Sequence, residues 1–167
     1  MEPHHEMRLD SSLFHAIPII TTNDYVRVRG MDGKISEIVT SGDLSSEFRK
    51  LTEPFLLVSE IENWVRNMIQ GRFTVADLAS VCNPSREIDG VGDLVFGEYI
   101  RLLQDPNRWM QLGVHIDRAM FCEQLDLIRE IRNDVMHFKL DIKSEDLESL
   151  HKFAGFLKTL GQIFRSK

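Results

Sequence analysis

The sequence predicts a mainly α-helical protein with a small β-hairpin near its N-terminus, and three patterns support this fold class. Apolar residues recur at steps of three, four and seven from Met120 to Phe138, a stretch without Gly or Pro, which is typical of an amphipathic helix. A second apolar stripe of this kind runs through residues 147–164. Residues 25–29 instead alternate apolar and polar side chains and precede a turn, as the strands of a hairpin do.

Composition sets limits on size and class. With 167 residues, of which 43% are hydrophobic, the chain is long enough for one domain with a sizeable core, or one domain with a small appendage. The net charge of −6 excludes a protein that coats nucleic acid nonspecifically, because that mode depends on many cations. No signal peptide and no apolar run near 18 residues is visible, so we expect a cytoplasmic protein with reduced Cys82 and Cys122.

The N-terminal part is expected to contain little regular structure beyond the hairpin. We interpret residues 1–12 as a mobile leader, and no metal site is assigned to its paired histidines. A short helix over residues 13–17 should end before Pro18. Strands over 25–29 and 34–40 flank the turn at residues 30–33, which is rich in Gly and Asp.

From residue 51 onward we expect only helices and loops. Thr52 and Pro54 are typical of a cap and a first-turn proline, and Gly71 should end that helix. Thr74 and Asp77 predict a capping box. Further helices should start at Asp93, Asp117 and Ser144, with a loop over 83–92 and a turn over 107–109. Their apolar stripes predict a common core, made of Ile61, Val65, Leu102, Leu125, Ile128, Val135, Leu157 and Leu160.

A compact polar group interrupts the apolar pattern of the long helix. Arg129, Asn133 and His137 are spaced by four and share one drifting row, and Arg132 lies one row away. Two guanidinium groups, an amide and an imidazole suit an anionic phosphodiester and acid–base chemistry. The alternative is a solvated helix face, with the arginines paired to Asp126, Glu130 or Asp134 and His137 capping the helix.

The residues from Ile131 to Phe138 resemble the R-x(4–6)-H signature of the HEPN superfamily, here with four residues between Arg132 and His137. Residues 51–167 also resemble the helical bundle of that family. The resemblance implies a bundle of four to five helices that dimerises and brings two copies of the motif into one cleft. It further implies a metal-independent ribonuclease, in which Arg132, Asn133 and His137 are catalytic and Arg129 is an auxiliary phosphate-binding residue.

Residues 13–50, a hairpin followed by a helix, resemble the second half of a CBS motif. In CBS motifs a Thr or Ser and an Asp three residues later contact adenine nucleotides, and Thr40 and Asp43 match that spacing. The alternative is that Asp43 caps the next helix. Two strands and a helix cannot bury a core alone, so the segment must pack on the bundle or on another subunit.

Three functions follow from these patterns. The first is a dimeric, metal-independent endoribonuclease that needs no cofactor, acts on RNA in a defence or toxin–antitoxin setting and meets an antitoxin or regulatory protein. The second is a catalytically silent HEPN dimerisation or sensor module that binds a nucleotide or a protein through the CBS remnant. The third is a protein that neutralises a toxin or otherwise interacts with another protein, for which the acidic balance is suitable. Neither membrane nor DNA is an expected partner.

Overall fold

In the computed structural model, the described residues are 5–137 and 142–165, and side chains are described as far as residue 162. This part of the chain contains seven α-helices and one three-stranded sheet. The fold class is therefore mainly helical with a small sheet, as predicted. No helix in the described ranges combines the length and the apolar character needed to cross a bilayer.

The chain divides into two compact units, Met1–Glu53 and Pro54–Lys167. The sequence placed this boundary between residues 50 and 51. Each unit is described by itself below.

The first unit contains the sheet, with strand order β1-β2-β3. Strands β2 (Tyr25–Arg29) and β3 (Ile35–Thr40) form the expected antiparallel hairpin. Strand β1 (Glu6–Arg8) pairs with β2 in parallel. This strand lies inside residues 1–12, which were interpreted from the sequence as a mobile leader. Its flanking residues are bonded to the backbone of β2 through Arg27 N–His5 O at 2.9 Å and Leu9 N–Arg29 O at 3.0 Å.

Helix α1 (Leu13–Asn23) is longer than predicted, since it continues through Pro18. Its buried residues Ala16 and Ile20 pack with Val26 of β2, and this packing outweighs the tendency of a proline to end a helix. Burial along β2 alternates: Val26 and Val28 are buried against the α1 side, whereas Tyr25, Arg27 and Arg29 are half-buried on the other face.

Helix α2 (Ser41–Ile69) corrects the prediction of a new helix at Thr52. It begins eleven residues earlier and runs through Pro54 without a break. The Thr52 hydroxyl, expected to cap a helix, instead donates to the carbonyl of Phe48 at 2.8 Å, in the middle of the helix. The predicted stop is confirmed, because Gly71 has the positive φ of 72° that favours glycine after a helix end.

Three short helices follow: α3 (Val75–Ala79), α4 (Phe96–Gln104) and α5 (Pro106–Leu112). The capping box of Thr74 and Asp77 on α3 is confirmed. Asp93 does not cap α4, because its carboxylate accepts the amides of Asp89 and Gly90 and closes the preceding loop. The predicted turn over 107–109 is the first part of α5, where Asp105 is the N-cap residue.

The two long helices α6 (Arg118–Met136) and α7 (Ser144–Arg165) complete the second unit. Asp117 starts α6, as expected, and accepts the Met120 amide at 2.7 Å. All eight residues predicted for the common core are buried. Trp64 of α2 packs so closely on Gly161 of α7 that a side chain at 161 would overlap the indole ring.

This close approach gives a matched pair of glycine substitutions on α7. Gly161→Ala should lower the free energy of unfolding by about 1–3 kcal/mol, because the new methyl group must displace the Trp64 ring. Gly155→Ala should raise it by about 0.5–1 kcal/mol, since that position opens to empty space and alanine favours a helix. Urea denaturation of both variants measures the difference. Equal effects would contradict the Trp64–Gly161 packing.

Candidate functional site

The buried stripe of α6 decides which of its side chains are available for chemistry. Six residues of the helix are buried, at steps that keep them on one side: Phe121, Cys122, Leu125, Ile128, Ile131 and Val135. The four polar residues singled out in the sequence lie between or beyond these positions. All of them belong to the C-terminal half of α6 or to its C-cap.

Arg132 borders the buried stripe. Its side chain is half-buried, and among the described residues its buried Nε has no hydrogen-bond partner. A buried donor that lacks an acceptor costs about 1–3 kcal/mol, and more when it belongs to a charged group. Such a group calls for an explanation.

Asn133 and His137 lie on the outer side of the same helix. The two are four residues apart, so their directions differ by only about 40° around the axis. Asn133 is half-buried, and its carbonyl accepts the His137 amide at 3.0 Å. The exposed His137 is the C-cap residue of the helix.

Arg132 and His137 of one chain do not point the same way. Five residues at about 100° each place their Cβ directions about 140° apart, with a rise of about 7.5 Å along the axis. The structure therefore places Asn133 with His137 on one side of α6 and Arg132 on the side that adjoins the core. For one phosphate to contact both an arginine and a histidine of this motif, a further side chain must come from elsewhere in the chain or from another copy of it.

Arg129 already has a partner. Its Nε donates to the Asp126 carboxylate at 2.7 Å, with both side chains partly exposed. The bond to Asp126 raises the pKa of Arg129 above its ordinary value. For this residue the structure shows the ion pair that a solvated helix face predicts. An exposed pair of this kind is worth only about 0–1 kcal/mol, so it leaves the guanidinium available to a stronger anion.

Thr40 and Asp43 are in contact at the start of α2. The Asp43 carboxylate accepts the Thr40 hydroxyl at 2.7 Å and the Thr40 amide at 2.9 Å, and the Asp43 amide donates back to that hydroxyl at 3.2 Å. The bond from the Thr40 hydroxyl, followed by the one from its amide, lowers the pKa of Asp43. This reciprocal pairing caps the start of α2, as the alternative to a nucleotide site expects, but Asp43 lies in the first turn of the helix and Thr40 is the residue before it. A nucleotide would have to compete with these bonds.

Two polar networks of the second unit were not predicted. Arg66 of α2 donates from Nε to the hydroxyl of the fully buried Tyr99 at 2.7 Å and from Nη2 to Glu62 at 2.6 Å. Glu98, which is 3% exposed, accepts the Val95 amide at 2.8 Å and two bonds from Arg86 at 2.8 and 3.0 Å. No spacing rule links Arg86 to Glu98, because the intervening loop determines their contact.

Among the described residues, no group of three or more His, Cys, Asp or Glu side chains is arranged to hold a metal ion. Two residues named from the sequence lie outside the described residues: Phe138, at the end of the motif, and His4, one of the paired leader histidines. A comparison of the chain with protein-family models, with curated proteins and with solved structures finds no match.

The Glu98 network predicts a specific dependence of stability on pH. Burial by itself raises the pKa of Glu98, but the Val95 amide and the Arg86 guanidinium outweigh it, so the pKa lies below its ordinary value of 4.5. A carboxyl whose pKa is lower in the folded state stabilises the fold above its ordinary pKa. That stabilisation is lost as the pH falls through the folded-state pKa.

We therefore expect Glu98→Gln to lower the free energy of unfolding at pH 7 by about 1–3 kcal/mol. The difference from the wild type should shrink steadily as the pH falls below 4.5. Glu87→Gln is the matched control, because Glu87 is exposed in the same loop region. Urea denaturation over a pH series measures both variants. A difference that stays constant down to strongly acidic pH would show that the ionised pair contributes nothing.

Proposed function

We propose that this chain is a metal-independent endoribonuclease of the HEPN type that acts as a homodimer. The observation that carries the proposal is the state of Arg132, whose buried Nε lacks a hydrogen-bond partner among the described residues, while Asn133 and the exposed His137 lie on the outer side of the same helix. A guanidinium in this state is prepared for a planar, charged acceptor such as a phosphate. The mainly helical second unit, with the motif at the end of the long helix before the last one, also supports the proposal.

The chemistry follows from the residue types. His137 takes the proton of the attacking 2′-hydroxyl, or gives one to the leaving 5′-oxygen, because an imidazole exchanges protons most readily near neutral pH. Arg132 stabilises the negative charge that develops on the phosphate. Asn133 orients the hydroxyl or the imidazole on the outer face of α6. Attack by the 2′-oxygen on phosphorus breaks the bond to the 5′-oxygen and leaves a cyclic phosphate.

A dimer solves two problems of the isolated chain. One copy offers a single His137, whereas the reaction needs one group to accept a proton and another to donate one. Arg132 and His137 of one copy also diverge by about 140° around the helix. A two-fold axis near the end of α6 brings the arginine of one subunit and the histidine of the other to the same phosphate.

The second candidate is a catalytically silent HEPN module for dimerisation or sensing. The ion pair of Arg129 with Asp126 favours it, because a solvated helix face predicts this pairing. In this candidate Thr40 and Asp43 bind a nucleotide or a protein partner. Either role is compatible with an antitoxin or another regulatory protein that covers His137.

The ribonuclease proposal predicts a defined response of RNA cleavage to changes in enzyme and substrate. His137→Ala should lower the rate by about 10²–10⁴, the usual effect of losing an acid–base group. His115→Ala is the matched control and should cleave normally, because this exposed histidine lies outside the motif. Deoxyribose at the cleaved position should abolish the reaction, and EDTA should leave it unchanged, because the chain supplies base and cation itself. Gel analysis of labelled RNA measures all four.

Arg132→Lys adds a sharper test, since lysine keeps the charge but loses the planar fork. We expect a large loss of rate, while Arg72→Lys, at an exposed position in the same unit, should have no effect. Wild-type cleavage by either Arg132→Lys or His137→Ala would mean that the motif is structural. In that case the silent module would be the remaining candidate.

The composite site further predicts a homodimer in solution. Light scattering at tens of micromolar should give twice the chain mass, because the site requires two copies of the motif. Dilution should lower the cleavage rate per subunit in proportion to the fraction of the protein that is dimeric. Full cleavage by a protein that light scattering shows to be monomeric would contradict the shared site.

A further inference from the structure

The outer face of the small sheet carries an unusual concentration of arginine. β-Strand register places Arg8 of β1 beside Arg29 of β2, and Arg27 lies one pleat away on the same face. The burial pattern confirms the direction in which the arginine side chains point. Along the two strands they alternate with Met7, Val26 and Val28, which face the α1 side. Three cations and one anion, Glu6, therefore occupy the outer face of β1 and β2 in a chain of net charge −6.

The spacing of these cations suits a chain of phosphates. Arg27 and Arg29 are two residues apart on one strand, about 6.6 Å, while Arg8 and Arg29 lie on neighbouring strands about 4.8 Å apart. Tyr25 continues the same row of β2, and the exposed Ile38 lies opposite Arg27 on β3. The face thus combines guanidinium groups with an aromatic ring and an aliphatic side chain that bases can contact.

The arginines differ in how strongly they are engaged. Arg29 bonds to Glu6 at 2.5 Å and to the carbonyl of Gly33, and Arg8 pairs with Asp10 at 3.2 Å. The Arg8–Asp10 pair is largely exposed and the Arg29–Glu6 pair is partly exposed. Exposed pairs are worth about 0–1 kcal/mol each, so a phosphate can replace the carboxylates. Within the described ranges, Arg27 has no side-chain hydrogen bond or ion pair, which leaves its donors open to a ligand.

We propose that this outer sheet face, formed by Arg8, Tyr25, Arg27, Arg29 and Ile38, binds single-stranded RNA. The inference rests on the proposed ribonuclease function for the identity of the ligand, and it adds a binding surface in the first unit. The arginines hold successive phosphates, and Tyr25 and Ile38 contact the bases. Single strands are preferred, because their exposed bases can reach the aromatic ring.

The test measures RNA binding separately from cleavage. Fluorescence anisotropy with a labelled single-stranded RNA is recorded for the full chain carrying His137→Ala, so that the probe stays intact. Adding Arg27→Gln should weaken binding several-fold and lower the slope of log K against log salt by about 0.7, the value for one lost phosphate contact on a single strand. Arg27→Gln combined with Arg29→Gln should weaken binding by about tenfold or more.

Two further variants make the experiment specific. Glu6→Gln should strengthen binding, because it removes the anion on this face and frees Arg29. Arg49→Gln is the matched control, since it removes the same charge at an exposed position of α2 in the same unit, outside the sheet. It should bind RNA like the parent protein. Circular dichroism melting of each variant confirms that the fold is retained.

Each outcome decides between the two proposals. If Arg27→Gln and Glu6→Gln bind RNA like the parent while His137 is needed for cleavage, the sheet face is not the binding surface and the ribonuclease proposal stands. If binding follows Arg27 and Glu6 but no RNA is cleaved, the face binds RNA and the ribonuclease proposal fails. Equal binding of polyglutamate or of duplex RNA at the same salt would overturn the assignment to single-stranded RNA.

Discussion

Burial of the apolar stripe of α6 is the constraint on which the candidate site depends. Three apolar residues of α6 must face the core: Ile128, Ile131 and Val135. Because an α-helix has 3.6 residues per turn, their positions also fix the directions in which the side chains between them point. Arg132 is consequently held against the edge of the core, while Asn133 and His137 are held on the outer side. Polar chemistry at the end of this helix is a consequence of where its apolar residues go.

The same constraint gives Arg132 an energetic cost. Its side chain is half-buried, and its Nε is buried without an acceptor among the described residues. A lysine at this position could extend its ammonium group into water. The Nε of an arginine cannot do so, because it lies close to the aliphatic part of the side chain. In the proposed function, a phosphate that supplied the acceptor would remove this penalty, so part of its binding energy would already be stored in the unliganded chain. A solvated ion pair such as Arg129–Asp126 stores nothing comparable.

Local patterns in the sequence predicted the elements whose stabilisation is local. The hairpin, the capping box of Thr74 and Asp77 and the core residues of α6 and α7 follow from periodicity and from neighbours a few positions away. Strand β1, the continuous α2 and the Arg86–Glu98 pair were missed. β1 forms because a partner strand lies about twenty residues further on, and Pro54 is tolerated within a helix that has already started.

For the candidate site, the sequence predicted which residues share a helix but not their states. Spacing placed Arg129 and Asn133 on one row, yet only the structure shows that Arg129 is paired and that the Arg132 Nε is unpaired. Such differences depend on rotamers and on neighbouring helices, which no local pattern determines. The arginine face of the sheet was missed for a related reason. Arg8 and Arg29 become neighbours only after β1 pairs with β2.

The acidic balance of the chain limits the ways in which RNA could be bound under the proposed function. With 26 acidic and 20 basic side chains, the protein as a whole repels a polyanion. Binding must then come from a few arginines that make geometrically defined contacts, rather than from a broad positive field. Guanidinium groups are suited to this, since their planar fork gains bidentate bonds at short range even where the long-range potential is unfavourable.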